Sequence, residues 1–128
     1  MQIKTEHDEQ KTLFEWAAYN WNKYPELEFM FAIPNGGKRD VVTAKRLKDE
    51  GVKAGVSDIF LPAIRWSDPS GSMAIRYGGL FIEMKSEDGR LSQAQIDFIA
   101  AMKKQGYQTA VCWSADEAIS TIEEYLGA

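Results

Sequence analysis

Residues 79–114 carry a strand pattern, a helix pattern and a second strand pattern in immediate succession. "GLFIEMK" (79–85) is an apolar, β-prone run. "SQAQIDFIAAMKKQG" (92–106) reads as a helix, with Ser92 as its N-cap and Gly106 as its stop. "QTAVCWS" (108–114) is apolar again. A strand–helix–strand unit of this length is a crossover, and its two strands lie parallel. The unit therefore predicts a helix-covered sheet with at least one parallel pair.

The remaining segments extend that sheet. A helix is predicted from Thr5, which can N-cap, with Asp8 three residues on as an approximate capping box. Leu13, Phe14, Trp16, Ala17 and Trp21 form its apolar stripe, and Pro25 ends it. "LEFMFAI" (27–33) reads as a strand and "PNGGKRD" (34–40) as a loop. "VVTAKRLKDEG" (41–51) reads as a helix stopped by Gly51, and "VSDIFLPAI" (56–64) as a strand. Residues 65–78, rich in turn signals, read as a hairpin-like excursion, and 115–126 as a closing helix. The fold class expected is α/β: a small sandwich around a central mixed β-sheet flanked by helices, one domain over 1–128.

Composition narrows the function classes. The net charge of −4 argues against holding nucleic acid by bulk electrostatics. Charge is uneven, however: Lys38, Arg39, Lys45, Arg46, Lys48 and Lys53 outnumber the acids between them, while residues 116–124 hold four acids and no base. A local basic face on an acidic body is compatible with this, as is an ordinary solvated helix face. Cys112 is the lone cysteine, in an apolar context, so no intramolecular disulfide forms and a reducing compartment fits. No signal-peptide pattern or long apolar run predicts secretion or membrane insertion. His7, the single histidine, supports neither a His-rich zinc site nor a catalytic dyad, and reads as an exposed helix residue.

The "FIEMK" segment breaks the pattern of a buried strand. Alternation puts Leu80, Ile82 and Met84 on one face and Phe81, Glu83 and Lys85 on the other. An isolated Glu-x-Lys is usually a salt-bridged pair on a half-exposed strand. Here a second strand opens with Asp58 beside Ile59, Phe60 and Leu61. If the two strands pair, Asp58 and Glu83 converge. Two facing carboxylates are costly to bury without a cation. Hard oxygen ligands suit Mg2+ or Mn2+, with the Met84 backbone carbonyl as a further ligand. Lys85 would then stand beside the reacting phosphate, orienting the nucleophile or offsetting developing charge.

"GVSD" followed by "FIEMK" resembles the D…(D/E)-x-K signature of the PD-(D/E)XK nucleases, with Ser57 where that signature usually has proline. The chain is closer still to one branch, the VRR-NUC domain. The likeness lies in "TEHDEQKTLFEWA", "IPNGGKR", "LKDEGVKAGVSDIFLP" and "GLFIEMKSEDGRLSQAQ", in this order. The resemblance implies a restriction-endonuclease-like fold and metal-dependent hydrolysis of DNA phosphodiesters, leaving 5′-phosphates. It implies that Asp58 and Glu83 bind metal, that Lys85 is the catalytic lysine, and that a helix-start glutamate completes the site through a water. Glu6 is the preferred match and Glu9 the rival; Gln10 also matches a family position. Gln95, in "LSQAQ", would point back toward the site from the first turn of its helix, or else is a surface residue.

Other residues are weaker candidates. Asn35, Gly36, Gly37 and Lys38 lack the spacing of a P-loop. With Arg39 they read either as a DNA-phosphate-contacting loop or as a plain turn. Arg46 and Lys53 are further phosphate contacts. Gly55 would let the backbone pass close to substrate or to a neighbouring strand. Trp66 and Tyr77 read as core or lid packing, with a partner subunit or DNA as the alternative.

The resemblance implies a DNA partner, branched DNA above all. A homodimer with two sites suits paired nicks in a four-way (Holliday) junction, as in DNA repair. A flap or general nuclease is the enzymatic alternative, and a catalytically silent DNA-binding module the non-enzymatic one. A cytoplasmic location, in a bacterial or phage-infected cell, is what a stand-alone domain of this kind implies.

Overall fold

The computed structural model describes residues 5–34, 40–67 and 74–127. Helix α1 (Glu6–Tyr19) opens with the expected reciprocal cap. Thr5 Oγ1 accepts the Asp8 N–H, and the Asp8 carboxylate accepts the Thr5 N–H, both at 3.1 Å. Asn20 ends the helix by donating its side-chain amide to the Trp16 carbonyl at 2.7 Å. Trp21, predicted on the apolar stripe, lies beyond this end and is 46% exposed.

The strand predicted over 27–33 is mostly something else. Residues Pro25–Phe29 form a 3-10 helix with proline in its first turn, where the fixed φ and missing N–H suit a helical start. Only Phe31–Ala32 remains as strand β1, an exposed edge. Helix α2 (Val41–Asp49) follows, capped by Asp40, whose carboxylate accepts the Thr43 N–H at 2.7 Å. Strand β2 is Ile59–Leu61, shorter than predicted. Strands β3 (Arg65–Trp66) and β4 (Ile75–Tyr77) pair antiparallel as a separate arm, as the excursion predicted. Strand β5 (Leu80–Met84), helix α3 (Gln93–Lys104), strand β6 (Gln108–Cys112) and helix α4 (Ala115–Gly127) complete the order.

The main sheet runs β1-β2-β5-β6. Its β5/β6 pair is parallel, as the crossover requires, and the other pairs are antiparallel. Leu80, Ile82 and Met84 turn one face of β5 into the core. There they meet Leu13 and Ala17 of α1 and Ala118, Ile122 and Leu126 of α4. Phe81 points the other way, against Phe60, Tyr107 and, edge-on at 5.2 Å, Phe98 of α3. Helices thus cover both faces of a mixed sheet, the α/β architecture the pattern predicts. Cys112 is buried in this core. Tyr77 joins it through Tyr125, while Trp66 is 49% exposed. No helix among the described residues is long and apolar enough to cross a membrane.

Candidate active site

Strand register brings the two predicted carboxylates together. Ile59 pairs with Ile82 in the antiparallel β2/β5 ladder. One step further along the same register sets Asp58 opposite Glu83, so both side chains leave the sheet on one face. Glu83 is only 3% exposed, a buried carboxylate on a central strand. Lys85 shares its face by alternation, and its Nζ stands 4.0 Å from Glu83 Oε2.

Main-chain bonding assigns Met84 to the same place. The Lys85 N–H bonds to the Cys112 carbonyl on β6, at 2.9 Å. Met84, one residue earlier, presents its N–H to the opposite side, where Asp58 Oδ2 accepts it at 2.8 Å. The N–H and C=O of a strand residue point to one side, so the Met84 carbonyl also opens toward Asp58.

Gln95 comes back to the site from α3, as the resemblance implied. Its Nε2 donates to Glu83 Oε2 at 3.2 Å. Its Oε1 accepts the Ser92 N–H at 2.8 Å, and its own N–H donates to Ser92 Oγ at 3.2 Å. The capping box of α3 therefore holds the amide that holds Glu83. Gly55 lets α3 come this close. Its φ of +89° suits glycine, and a Cβ there would collide with the Ala94 carbonyl in the first turn of α3. The close neighbour of Gly55 is this helix, not a strand.

The two helix glutamates part company. Glu6 lines the cavity that contains Asp58, Glu83, Lys85 and Gln95. Its Oε1 accepts the Ser86 N–H at 3.3 Å, just past the end of β5. Glu9 is buried elsewhere, with Oε1 accepting the Ala115 N–H at the start of α4.

The predicted phosphate contacts fare unevenly. Arg46 and Lys53 are exposed, on α2 and the segment after it, and do not line this cavity. Asn35, Gly36, Gly37, Lys38 and Arg39 lie outside the described residues. Sequence reasoning missed most of one wall. His7, Gln10, Lys11 and Phe14 of α1 line the cavity, and of these only Gln10 was singled out as a match. Their spacing of i, i+3, i+4 and i+7 is a helical stripe next to Glu6, and that was the available signal.

Electrostatics at Glu83 show what the site could hold. Burial, then the hydrogen bond and charge of Asp58, push its carboxyl up to about 8; Lys85 opposes this and Glu6 adds to it. Glu83 Oε1 is buried with no partner. An ionised Asp58 and an ionised Glu83 can only accept, so they share a hydrogen bond only while one holds a proton. A small divalent cation at this point would satisfy the orphan oxygen and favour the ionised form of Glu83, so the residues fit such an ion. Among the described residues no three His, Cys, Asp or Glu side chains gather into a complete cage. Two carboxylates, a main-chain carbonyl and water are instead a set suited to Mg2+, which dehydrates reluctantly.

The VRR-NUC domain family model matches residues 3–116 of this chain. The chain belongs to the VRR-NUC family. A solved structure described as a VRR_NUC domain protein superposes with a TM-score of 0.78 at 26% identity, covering 98% of this chain and 91% of that one. No curated protein matches. The match spans α1 through the first residues of α4 and contains every side chain of the site above. Membership places this VRR-NUC chain among nuclease domains.

Proposed function

We propose that this chain is a Mg2+- or Mn2+-dependent endonuclease that hydrolyses phosphodiesters in branched DNA, with the four-way junction as its foremost substrate. The observation that carries the reading is Asp58 opposite Glu83, with one buried Glu83 oxygen left without a partner. Asp58, Glu83 and the Met84 carbonyl would hold the ion, with Glu6 reaching it through a water. Bound there, it would supply Lewis-acid polarisation of the phosphate and a water of lowered pKa.

The chain's own residues then supply position and charge. Gln95 fixes the rotamer of Glu83 through one oxygen and leaves the other free. Lys85, with its side chain 11% exposed, presents its ammonium from a rigid strand. From there it orients the attacking water and offsets charge on the phosphorane-like transition state. The 3′ oxygen departs and a 5′-phosphate remains. A homodimer would set two such sites on one junction, giving paired cuts.

The test is incubation of labelled four-way junction, flap and linear duplex with Mg2+, Mn2+ or EDTA. Metal-dependent cutting of the junction in preference to the duplex supports the reading. Preference for the flap would transfer the substrate, and cutting that persists in EDTA would sink the metal mechanism. Lys85→Ala is expected to abolish cleavage while retaining junction binding. Wild-type turnover by that variant would remove the lysine from the chemistry. Light scattering with and without junction reads the stoichiometry, and a 1:1 monomer complex that still cuts both strands would exclude the paired-site arrangement.

A further inference from the structure

Lysine side chains are ordinarily solvated, yet that of Lys85 is 11% exposed. Its ammonium stands 4.0 Å from Glu83 Oε2, beyond hydrogen-bond length, so this ion pair alone does not fix its position. The turn that follows β5 lies against its stem. The Gly89 N–H donates to the Ser86 carbonyl at 2.8 Å and closes this turn. A Cβ placed on Gly89 would stand 3.3 Å from Lys85 Cδ, and 3.1 and 3.2 Å from the carbonyl oxygen and Oγ of Ser86. Glycine therefore lets the turn fold back closely onto the lysine.

The turn is tied to other elements at both ends. The Ser86 N–H donates to Glu6 Oε1 of α1 at 3.3 Å. The Gly89 carbonyl accepts the Trp113 indole N–H at 3.2 Å. Trp113 directly follows β6, whose last residue, Cys112, pairs with Met84 and accepts the Lys85 N–H at 2.9 Å. Consecutive residues thus act on one lysine: Cys112 bonds its backbone, and Trp113 bonds the turn that lies on its stem. Trp113 is 41% exposed, so its ring is not a core residue.

We propose that the turn Ser86–Gly89, tied down by Trp113, fixes the stem of Lys85, which makes Gly89 and Trp113 positioning residues for the lysine of the cleavage reaction. This rests on the nuclease reading of the site and adds two residues to it. A lysine stem has more rotamer freedom to lose than most side chains. Where the folded protein has already removed that freedom, the ammonium is in place before charge develops on the phosphate. Trp113→Phe keeps a ring but loses the donor to Gly89. Gly89→Ala keeps the turn sequence otherwise intact but pushes on Lys85 Cδ and Ser86.

The experiment has two arms on the same variants. The first records 1H–13C spectra of protein carrying 13C-lysine, with the Lys85 signals identified by their loss in Lys85→Arg. The paired methylene protons of a fixed stem have separate shifts. They are expected to be separate in the wild type and to merge in Trp113→Phe and Gly89→Ala. The second arm measures single-turnover cleavage of a labelled four-way junction with Mn2+ at saturating protein, and junction binding in EDTA. Both variants are expected to cut about tenfold more slowly or worse, with junction affinity unchanged.

Merged methylene signals in the wild type, or separate signals that persist in both variants, overturn this inference and leave the nuclease reading intact. So does cleavage at the wild-type rate by both variants. Weaker junction binding by Trp113→Phe with an unchanged rate at saturation also overturns it, and makes Trp113 a DNA contact instead. No cut by wild type in any substrate overturns the nuclease reading and, with it, the catalytic purpose assigned to the turn. Gly89→Ala leaves the indole in place, so a Trp113 variant that fails to fold does not blunt the test.

Discussion

Glu9 Oε1 accepts a hydrogen bond from the Ala115 N–H at 2.7 Å, tying the first turn of α1 to the start of α4. The contact is buried, and it satisfies one of the orphan amides at a helix N-terminus while placing a carboxylate at the positive end of the helix dipole. Ser114 Oγ satisfies another, accepting the Glu117 N–H at 3.1 Å. Glu6, three residues earlier, is exposed and reaches the end of β5. Two glutamates three residues apart thus serve different parts of the molecule.

Their alanine variants should therefore fail in opposite ways. Glu9→Ala leaves a buried amide unpaired and is expected to cost about 1–2 kcal/mol, a few degrees in melting temperature. Metal-dependent cleavage by the protein that remains folded should survive. Glu6→Ala should melt like wild type yet lose cleavage. Thermal melts alongside a junction-cleavage assay check both. Normal cleavage by Glu6→Ala, or its loss in a fully folded Glu9→Ala, would reverse the assignment.

Gln95 makes a separable prediction because its two ends do two jobs. Gln95→Ala removes both the side-chain half of the α3 capping box and the donor to Glu83, so stability and metal response should both fall, the latter by about 10–100-fold. Gln95→Glu keeps an oxygen for the Ser92 N–H but places a third carboxylate against Glu83. It should retain most of the stability and still respond poorly to Mg2+. Titration of metal against intrinsic tryptophan emission or melting temperature reads this without relying on turnover. Equal metal response in Gln95→Glu and wild type would show that the amide does not matter to the ion.

What was legible in the sequence was mainly what is local or periodic. The caps at Thr5 and Ser92 are i, i+3 patterns. The meeting of Asp58 and Glu83 follows once apolar runs define two strands and those strands pair in register. The identity of the helix glutamate was not legible. Glu6 and Glu9 lie near one another on a helical face, and what separates them is a helix more than a hundred residues later in the chain. The strand expected at 27–33 failed for a different reason. Pro25 starts a helical turn, and the β1/β2 ladder reaches only Phe31 and Ala32. The α1 wall carried its signal in His7, Lys11 and Phe14, but a helical stripe becomes a cavity wall only through what packs opposite it.

Gly55 tests whether α3 must sit as close as it does. Gly55→Ala puts a Cβ at a backbone with positive φ and into the Ala94 carbonyl. The left-handed backbone alone costs about 1–2 kcal/mol, and the collision adds to it. The first turn of α3 must retreat, carrying Gln95 away from Glu83. The variant is expected to lose stability and metal response together, whereas Gly51→Ala, also at positive φ but in open space, should lose only stability. Intact metal response in a folded Gly55→Ala would mean that α3 adjusts without moving Gln95.

The pH dependence of the metal-free protein follows from Glu83. Its ordinary value is 4.5, and in the folded chain it is pushed up to about 8, chiefly by burial and by Asp58. The folded state therefore binds the extra proton between those limits, and folding stability falls as pH rises through them. The contribution is fully present below about pH 4.5 and is lost as pH passes 8. In EDTA the melting temperature should drop steadily from pH 5 to pH 8. Adding Mg2+ or Mn2+ should flatten that drop at its alkaline end, where the Glu83 carboxyl is ionised. Glu83→Gln, neutral at every pH, should be nearly flat in EDTA and insensitive to metal. If wild type and Glu83→Gln show the same slope in EDTA, the buried carboxyl is not the group that titrates, and the fit of this site to a cation loses its electrostatic basis.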